Sequence, residues 1–210
     1  MQWRLMMEQR TDEWFEARLG KVTASRIYDV LSKTKSGYSA TRKNYMAQLL
    51  CERLTGNREE SFKTAAMQRG NDIEPKARAR YMLETGELVE ETGFINHPTI
   101  NMSGASPDGL VGDDGLIEIK CPNTATHLEF LRTKKPKPEY LLQMLWQMAC
   151  TGRKWCDFVS YDDRVPEHLS FQMVRINRDD ERIKEIEEEV QKFLHELDEQ
   201  IDELEIVMEA

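Results

Sequence analysis

The sequence predicts a mixed α/β fold of the α+β type, in which a mixed central β-sheet is flanked by α-helices. One observation is the alternation of Leu116, Glu118 and Lys120 with isoleucines, which is typical of a strand with two different faces. A second is the run of short apolar segments over 87–120, separated by glycine turns. A third is the helical spacing of apolar residues in 41–55 and 180–207.

The first third of the chain is predicted to be mostly helical. Thr11 and Asp12 are suited to cap a short helix that ends near Gly20, and a second helix begins near Thr23 or Ser25. The polar and basic stretch 33–40 is predicted to be a loop. Helices follow over 41–55 and 65–85, and Pro75 should kink the second of these or mark where it restarts, because proline removes a backbone donor.

The remaining elements alternate in type. The predicted strands are 87–95, 102–105, 110–111, 115–120, 155–161 and 169–176. The predicted helices are 125–132, 139–151 and 180–207. No linker, repeat or abrupt change of composition divides the 210 residues, so we expect a single domain over 1–210 with 179–207 as an acidic C-terminal helix.

Two carboxylates and a lysine lie on adjacent extended segments. The first segment ends at the turn Ser106-Pro-Asp-Gly109, and the second carries Glu118 and Lys120 on one face. Asp108, Glu118 and Lys120 can therefore converge. Hard carboxylate oxygens suit Mg²⁺, which activates water for phosphodiester hydrolysis, and a lysine can orient that water or help to deprotonate it. An ordinary hairpin with charged residues on its solvent face has the same spacing.

The charge is unevenly distributed along the chain. The formal net charge is -9, which at first sight disfavours a polyanionic partner such as DNA. From residue 179 onward, however, there are 14 acidic and 3 basic residues, and the preceding part carries 24 acidic and 26 basic residues. An acidic protein can therefore still hold DNA in a locally basic channel.

Other residue patterns limit the class of protein. Cys51, Cys121, Cys150 and Cys156 have no spacing typical of zinc or an iron–sulfur cluster, which favours reduced thiols. No apolar run approaches the roughly 20 residues that span a bilayer, and no secretory leader pattern begins the chain. We therefore expect a soluble protein of the cytoplasm with no membrane partner.

The chain resembles the PD-(D/E)XK nuclease superfamily through Asp108 and the triplet Glu118-Ile-Lys120, and within it the lambda-type phage alkaline exonucleases of the YqaJ-like viral recombinase family. Six motifs occur in the order seen in those enzymes. They are Trp14-Phe-Glu-Ala-Arg18-Leu-Gly20, Val22-Thr-Ala-Ser25, Arg69-Gly-Asn-Asp-Ile-Glu74, Ser106-Pro-Asp-Gly109, Glu118-Ile-Lys-Cys-Pro122 and Tyr140-Leu-Leu-Gln143. The resemblance covers nearly the whole chain and implies a restriction-endonuclease-like core.

The resemblance also implies roles for single residues. Asp108, Glu118, the carbonyl of Ile119 and Glu74 would hold two Mg²⁺ ions, for which Mn²⁺ can substitute and which Ca²⁺ replaces unproductively. Lys120 would position the attacking water, and Gln143 would steady the substrate or the lysine. For Glu74 the ordinary alternative is a surface glutamate paired with a basic residue, and for Gln143 it is a plain surface position.

A second group of residues is suited to bind a phosphate monoester. Arg18 is followed by the hydroxyl-rich segment of Thr23 and Ser25, and a forked cation beside a helix start can bind a phosphate. These residues, with Ser106, look like the family's 5'-phosphate pocket, although a capping hydroxyl and a surface arginine are the alternative. In enzymes of the family that the chain resembles, the position of Met67 carries an apolar wedge that splits the terminal base pair. The alternative is that Met67 packs in the hydrophobic core.

The DNA path and the partners follow from the same resemblance. Lys33, Lys35 and Arg69 could line the path of the DNA, although solvated loop lysines explain the first two nearly as well. The implied enzyme is a Mg²⁺-dependent 5'-to-3' exodeoxyribonuclease that acts on 5'-phosphorylated ends of linear double-stranded DNA. It would release mononucleotides and leave a 3' single-stranded tail for recombination.

The implied partners are two further copies of the chain in a toroidal homotrimer and a phage single-strand annealing protein. Two alternatives stay open. One is a structure-specific or site-specific endonuclease with the same metal chemistry, and the other is a DNA-end-binding recombination mediator without catalysis.

Overall fold

The computed structural model describes residues 8–58 and 64–209. Within these ranges the helices are α1 (Asp12–Arg18), α2 (Ile27–Leu31), α3 (Ala40–Thr55), α4 (Ala65–Thr85), α5 (Thr124–Thr133), α6 (Pro138–Thr151) and α7 (Asp180–Glu209). The strands are β1 (Val22–Thr23), β2 (Lys33–Thr34), β3 (Gly37–Tyr38), β4 (Val89–Glu90), β5 (Ile95–Asn96), β6 (Ser103–Ala105), β7 (Gly109–Val111), β8 (Gly115–Lys120), β9 (Trp155–Tyr161) and β10 (Phe171–Asn177). Short 3₁₀ turns precede α2 and β10.

The central sheet has five strands in the order β10-β9-β8-β7-β4. β8 and β9 run parallel and the other neighbours run antiparallel, so the sheet is mixed as predicted. A smaller sheet has the order β1-β6-β5, and β2 pairs with β3 in a separate hairpin. The short antiparallel pairing of Gly109 with Ile117 brings the start of β7 beside the middle of β8.

The helix boundaries follow from local capping. Thr11, Ser39, Thr64 and Asn123 each accept a backbone N–H of the first helical turn, at the starts of α1, α3, α4 and α5. Glycines with left-handed backbone follow α3, α4 and α6, where they let the chain turn away without a Cβ clash.

The core covers β8 on both faces. Leu116 packs in the larger cluster with Trp146 and Met144 of α6 and with apolar residues of α7. Ile117 and Ile119 pack on the other face in a cluster that includes Ala77 and Tyr81 of α4. Because burial continues from Gly115 to Ile119 and ends at Lys120, the carboxyl end of β8 is the part that reaches an open cavity.

Two local predictions were wrong. The stretch 33–40, predicted as a loop, contains the β2–β3 hairpin, which docks on α7 through the hydrogen bond from Tyr38 Oη to Glu189 Oε2 at 2.8 Å. The single strand predicted over 87–95 is two strands in different sheets, because β4 pairs with β7 and β5 pairs with β6.

Of the two effects predicted for Pro75, a restart of α4 does not occur, and a kink stays a prediction. The helix continues from Ala65 to Thr85 with Pro75 inside it. Ile73, Ala77 and Tyr81 are buried on its inner face, so tertiary packing outweighs the lost backbone hydrogen bond.

Leu116→Ala should destabilise the fold by about 3 kcal/mol, because it removes a fully buried side chain between β8 and α6 and leaves a cavity. Leu83→Ala on α4 is the matched control, since Leu83 is 82% exposed and should change stability little. Urea unfolding followed by circular dichroism measures both. Equal losses in the two variants would contradict the assigned core.

Candidate active site

Most of the predicted site residues line one cavity of about 930 Å³. Its walls come from α1, the segment after α1, α3, the first half of α4, the end of β8 and the start of α6. The predicted residues that line it are Arg18, Thr23, Ser25, Met67, Arg69, Glu74, Asp108, Glu118, Ile119, Lys120 and Gln143. The fold therefore brings together residues that lie more than a hundred positions apart in the sequence.

Asp108 lies at the start of β7 and faces the end of β8. Its Oδ2 accepts the backbone N–H of Ile119 at 2.7 Å, a contact that the pairing of Gly109 with Ile117 sets up. Burial raises the pKa of Asp108 well above its usual value, and the negative charges of Glu118 and Glu74 raise it further. Asp108 therefore lies among carboxylates that repel it.

Glu118 is a fully buried carboxylate held by three donors. Its Oε1 accepts Gln143 Nε2 at 2.8 Å and pairs with Lys120 Nζ at 2.5 Å. Its Oε2 accepts Gln147 Nε2 at 2.7 Å. Burial of a charge is costly unless it is paired and hydrogen-bonded, and here both conditions hold. Glu118 and Lys120 therefore do not lie on the solvent face of an ordinary hairpin.

Gln143 and Gln147 lie one turn apart on the buried face of α6. Gln143 is 8% exposed and Gln147 is fully buried, so neither is a plain surface residue. Gln147 is not among the site residues predicted from the sequence. The signal that could have found it is the spacing of four positions from Gln143, which places both amides on one helical face beside the strand.

Lys120 is the basic member of the cluster. Burial by itself lowers the pKa of its ammonium group, but the charges of Glu118 and Asp108 outweigh that effect, so that the pKa is raised. The ammonium nitrogen also lies 5.0 Å from the centre of the Tyr140 ring. In this arrangement Lys120 is a charged donor that can orient a water molecule.

Glu74 lines the same cavity from α4, but its carboxylate is held by two arginines. Arg10 NH2 lies 2.5 Å from Oε2, and Arg78 NH2 lies 3.0 Å from Oε1. This is the pairing that the ordinary alternative describes, although it occurs at the cavity wall. The predicted metal role of Glu74 remains a prediction, and Arg10 is a neighbour that the sequence did not reveal.

The donor chemistry of this cavity fits a divalent cation. Glu74, Asp108 and Glu118 are carboxylates that line one space and interact electrostatically, which a hard cation would relieve. Within the described residues, no three His, Cys, Asp or Glu side chains already form a complete ligand set. Asp108 and Glu118, with the adjoining backbone at Ile119, are the residues that would hold the ion.

The predicted phosphate pocket is partly assembled, since Arg18, Thr23 and Ser25 line the cavity and Ser106, which does not, is bonded to Arg18. Ser106 Oγ accepts Trp14 Nε1 at 2.9 Å and Arg18 NH1 at 3.3 Å, so its own hydroxyl hydrogen can still be donated. The Arg18 guanidinium stacks 4.1 Å from the centre of the Trp14 ring. Burial lowers the pKa of Arg18 to about 10, and the group remains a cation at neutral pH.

The hydroxyl residues of this pocket differ in their surroundings. Ser25 is exposed on the cavity wall, whereas Thr23 is buried and its backbone N–H donates to Tyr45 Oη at 3.2 Å. A 3₁₀ turn over Ala24–Arg26 stands where the sequence suggested the start of an α-helix. Trp14, which lies one turn before Arg18 on α1, belongs to a motif quoted above, but no role was predicted for it.

The predicted DNA-path residues separate into two groups. Met67 is 57% exposed at the start of α4, on the cavity wall rather than in the core. Arg69 lines the cavity and bonds Asp162 and Asp163 at 2.9 and 2.7 Å. Lys33 pairs with Glu189 of α7 at 2.6 Å, and neither Lys33 nor Lys35 is among the residues that line the cavity. Their role in binding DNA stays a prediction.

A family model for the YqaJ-like viral recombinase domain matches residues 13–154. The crystal structure of an alkaline exonuclease (LHK-Exo) from Laribacter hongkongensis is 62% identical, with a TM-score of 0.89 over 94% of this chain and 98% of that chain. LHK-Exo in complex with dAMP matches with a TM-score of 0.90 at the same identity and coverage. A search of curated proteins gave no match.

A phage-related exonuclease from Haemophilus somnus 129PT is 20% identical, with a TM-score of 0.72 over 88% of this chain and 96% of that chain, which concerns the fold alone. Together with LHK-Exo it confirms the predicted fold class, a mixed α/β protein with a restriction-endonuclease-like core. None of the described helices has the length and apolar composition that a membrane-spanning segment requires.

Gln147→Leu should lower the rate of DNA hydrolysis about tenfold, because Glu118 loses one of the charge-assisted hydrogen bonds that fix its orientation. Gln200→Leu on α7 is the control, since Gln200 bonds Met46 Sδ away from the cavity. The release of acid-soluble nucleotides measures the rate, and thermal unfolding checks that both variants are folded. An unchanged rate in folded Gln147→Leu would contradict the role assigned to this amide.

Proposed function

We propose that the chain, which belongs to the YqaJ-like viral recombinase family, is a Mg²⁺-dependent exonuclease that degrades the 5'-ended strand of linear duplex DNA. Its enzyme class, predicted from the sequence as an exodeoxyribonuclease, is confirmed by the match to the alkaline exonuclease LHK-Exo over 94% of the chain. The proposal adds the metal, the polarity, the product and the biological setting.

The observation that carries the proposal is the convergence of Asp108, Glu118 and Lys120 in a cavity that also contains Arg18. Lys120 Nζ lies 2.5 Å from Glu118 Oε1, and Asp108, which accepts the Ile119 N–H, interacts electrostatically with both groups. Arg18 bonds Ser106, two residues before Asp108. A cleavage centre and an anion-binding group therefore belong to one continuous wall.

Asp108, Glu118 and the backbone at Ile119 would hold one Mg²⁺, and Glu74 would serve a second ion. When bound, such ions supply an activated water and neutralise charge that develops on the phosphate oxygens. Mn²⁺ should replace Mg²⁺, and Ca²⁺ should permit binding without turnover because its coordination is looser.

The protein's own contribution is orientation. Gln143 and Gln147 fix both oxygens of Glu118, and Ile119 fixes one oxygen of Asp108, so neither carboxylate is free to rotate. Lys120 directs its N–H groups toward the same space and positions the attacking water. Met67, exposed at the start of α4, is suited to press against the terminal base pair.

The 5'-to-3' direction of digestion follows from the position of the anion-binding residues Arg18 and Ser106. A 5'-phosphate bound by Arg18 and Ser106 would place the next phosphodiester at Asp108 and Glu118, so one nucleotide would be released in each step. The structure of LHK-Exo in complex with dAMP supports this product, since dAMP is a deoxymononucleotide. The strand left behind would be a 3' single-stranded tail.

The biological setting is recombination of phage DNA in the bacterial cytoplasm. The tail would be the substrate of a single-strand annealing protein, and a homotrimer would enclose the duplex during digestion. Support for this setting comes from the match to the viral recombinase domain.

Linear duplex DNA labelled at either the 5' or the 3' end tests the polarity. With Mg²⁺ the 5' label should appear as mononucleotide at once, whereas the 3' label should stay in long single strands, because degradation starts at the bound 5' end. Chelation should stop both reactions. Closed circular duplex should be spared, and its cleavage would instead support the endonuclease alternative.

Asp108→Asn should lower cleavage by about a thousandfold or more while the protein still binds DNA ends, because one metal-binding charge is lost. Asp114→Asn is the matched control, since Asp114 lies in the β7–β8 turn and pairs with Lys154. Fluorescence anisotropy of a labelled end measures binding beside the cleavage assay. Normal turnover in Asp108→Asn would refute the metal assignment.

Arg18→Ala should reduce the preference for 5'-phosphoryl over 5'-hydroxyl ends by about tenfold or more, because the variant lacks the forked guanidinium that would bind the phosphate. Arg132→Ala on the exposed face of α5 should keep the preference. The measurement is the ratio of kcat/KM values on the two kinds of end. A ratio that stays at the wild-type value would mean that the phosphate binds elsewhere.

A further inference from the structure

Helix α3 holds the turn that follows Arg18 by clamping a single residue. Glu52 Oε2 accepts the backbone N–H of Gly20 at 3.0 Å, and Arg53 Nε donates to the backbone carbonyl of Gly20 at 2.9 Å. Both polar groups of Gly20 are therefore bound by neighbouring side chains of α3. Gly20 has a φ of 65°, and a Cβ there would lie 2.8 Å from Arg53 Cγ, so the turn requires glycine.

The same helix holds two further residues of this segment, Lys21 and Thr23. Tyr45 Oη accepts the backbone N–H of Thr23 at 3.2 Å and donates to the carbonyl of Lys21 at 3.3 Å. Tyr45 is 2% exposed, so these bonds are shielded from water. The backbone from Gly20 to Thr23 is thus fixed at four polar groups by α3.

Glu52 is a buried carboxylate that the proposed cleavage reaction does not use. It is 5% exposed, and its Oε1 accepts Gln48 Nε2 at 2.8 Å. Gln48 in turn accepts Arg26 NH1 at 3.0 Å, and the Arg26 guanidinium stacks 4.1 Å from the centre of the Tyr45 ring. A buried charge is costly to retain, and every partner here lies on α3 or on the segment that carries Arg18 and Thr23.

We propose that Glu52 is a positioning residue for the DNA end, which sets the Gly20 turn so that Arg18 is aimed at Ser106 and at the terminal phosphate. This inference rests on the proposed function, in which Arg18 binds that phosphate. Arg18 has no ion pair within 4 Å among the described residues, so its direction is set by the turn, by Trp14 and by Ser106, with a longer-range attraction from the charge of Glu52. Glu52 also lines the cavity, but its two oxygens accept Gly20 N–H and Gln48 Nε2, so its role is to hold the turn rather than to bind an anion.

The turn matters because a phosphate held by both the Arg18 guanidinium and the Ser106 hydroxyl is sensitive to small displacements of either group. Arg18 NH1 already lies 3.3 Å from Ser106 Oγ, near the long end of hydrogen-bond geometry. A shift of about 1 Å in a substrate-positioning group can cost about a hundredfold in rate. Loss of the Glu52 bond would let the Gly20 turn relax and would separate the guanidinium from the serine hydroxyl.

The test measures kcat and KM on duplexes that differ only in a 5'-phosphoryl or 5'-hydroxyl end. Glu52→Ala should lower the phosphoryl-to-hydroxyl ratio of kcat/KM by about fivefold or more through a higher KM on phosphoryl ends. Glu52→Gln, which keeps an acceptor for the Gly20 N–H, should restore most of the ratio. The double variant Arg18→Ala/Glu52→Ala should show no lower ratio than Arg18→Ala alone.

Tyr81→Phe is the matched control for the loss of a buried hydrogen bond, since Tyr81 Oη donates to Asp157 at 2.8 Å away from this turn. It should leave the ratio unchanged at a similar cost in melting temperature. Two results would contradict the positioning role of Glu52 and leave the phosphate pocket intact. One is that Arg18→Ala lowers the ratio and Glu52→Ala does not, and the other is that Glu52→Ala slows cleavage of both kinds of end equally. If Arg18→Ala keeps the wild-type phosphoryl-to-hydroxyl ratio, both the assignment of the phosphate pocket and the positioning role of Glu52 are contradicted.

Discussion

The buried carboxylate of Glu118 is the constraint on which the rest of the site depends. Its two oxygens accept hydrogen bonds from Gln143 and Gln147 of α6 and pair with Lys120 on its own strand. A charge in this position is stable only while all three donors are in place. The contact between β8 and α6 is therefore both a packing interface and the contact that orients the proposed cleavage centre.

The same principle of side-chain support extends to the other wall of the cavity. Asp108 is oriented by the Ile119 N–H, and the turn that carries Arg18 is held by Glu52, Arg53 and Tyr45 of α3. In each case a rigid element fixes a polar group on a loop or strand end. This support from neighbouring side chains and backbone defines the geometry of the proposed catalytic and anion-binding groups, which lie at the end of α1, beside β7 and on β8.

The sequence was sufficient to predict the fold class and the group of Asp108, Glu118 and Lys120, because strand alternation determines which side chains share a face. It could not determine what covers that face. Whether Gln143 is surface or buried depends on the packing of α6 against β8, and the arginine pair on Glu74 depends on the approach of Arg10 from 64 positions away. The split of 87–95 between two sheets likewise depends on long-range pairing rather than on local pattern.

The distribution of ion pairs reconciles an acidic chain with a polyanionic substrate. Glu189, Glu196 and Asp198 of the acidic helix α7 are matched by Lys33, Arg42 and Arg53 on the side of the molecule that α3 and the β2–β3 hairpin form. On the cavity wall, Arg18 and Lys21 have no ion pair among the described residues. Since unpaired cations contribute most to binding a phosphate, the local balance at the cavity decides the interaction, and the net charge of -9 does not.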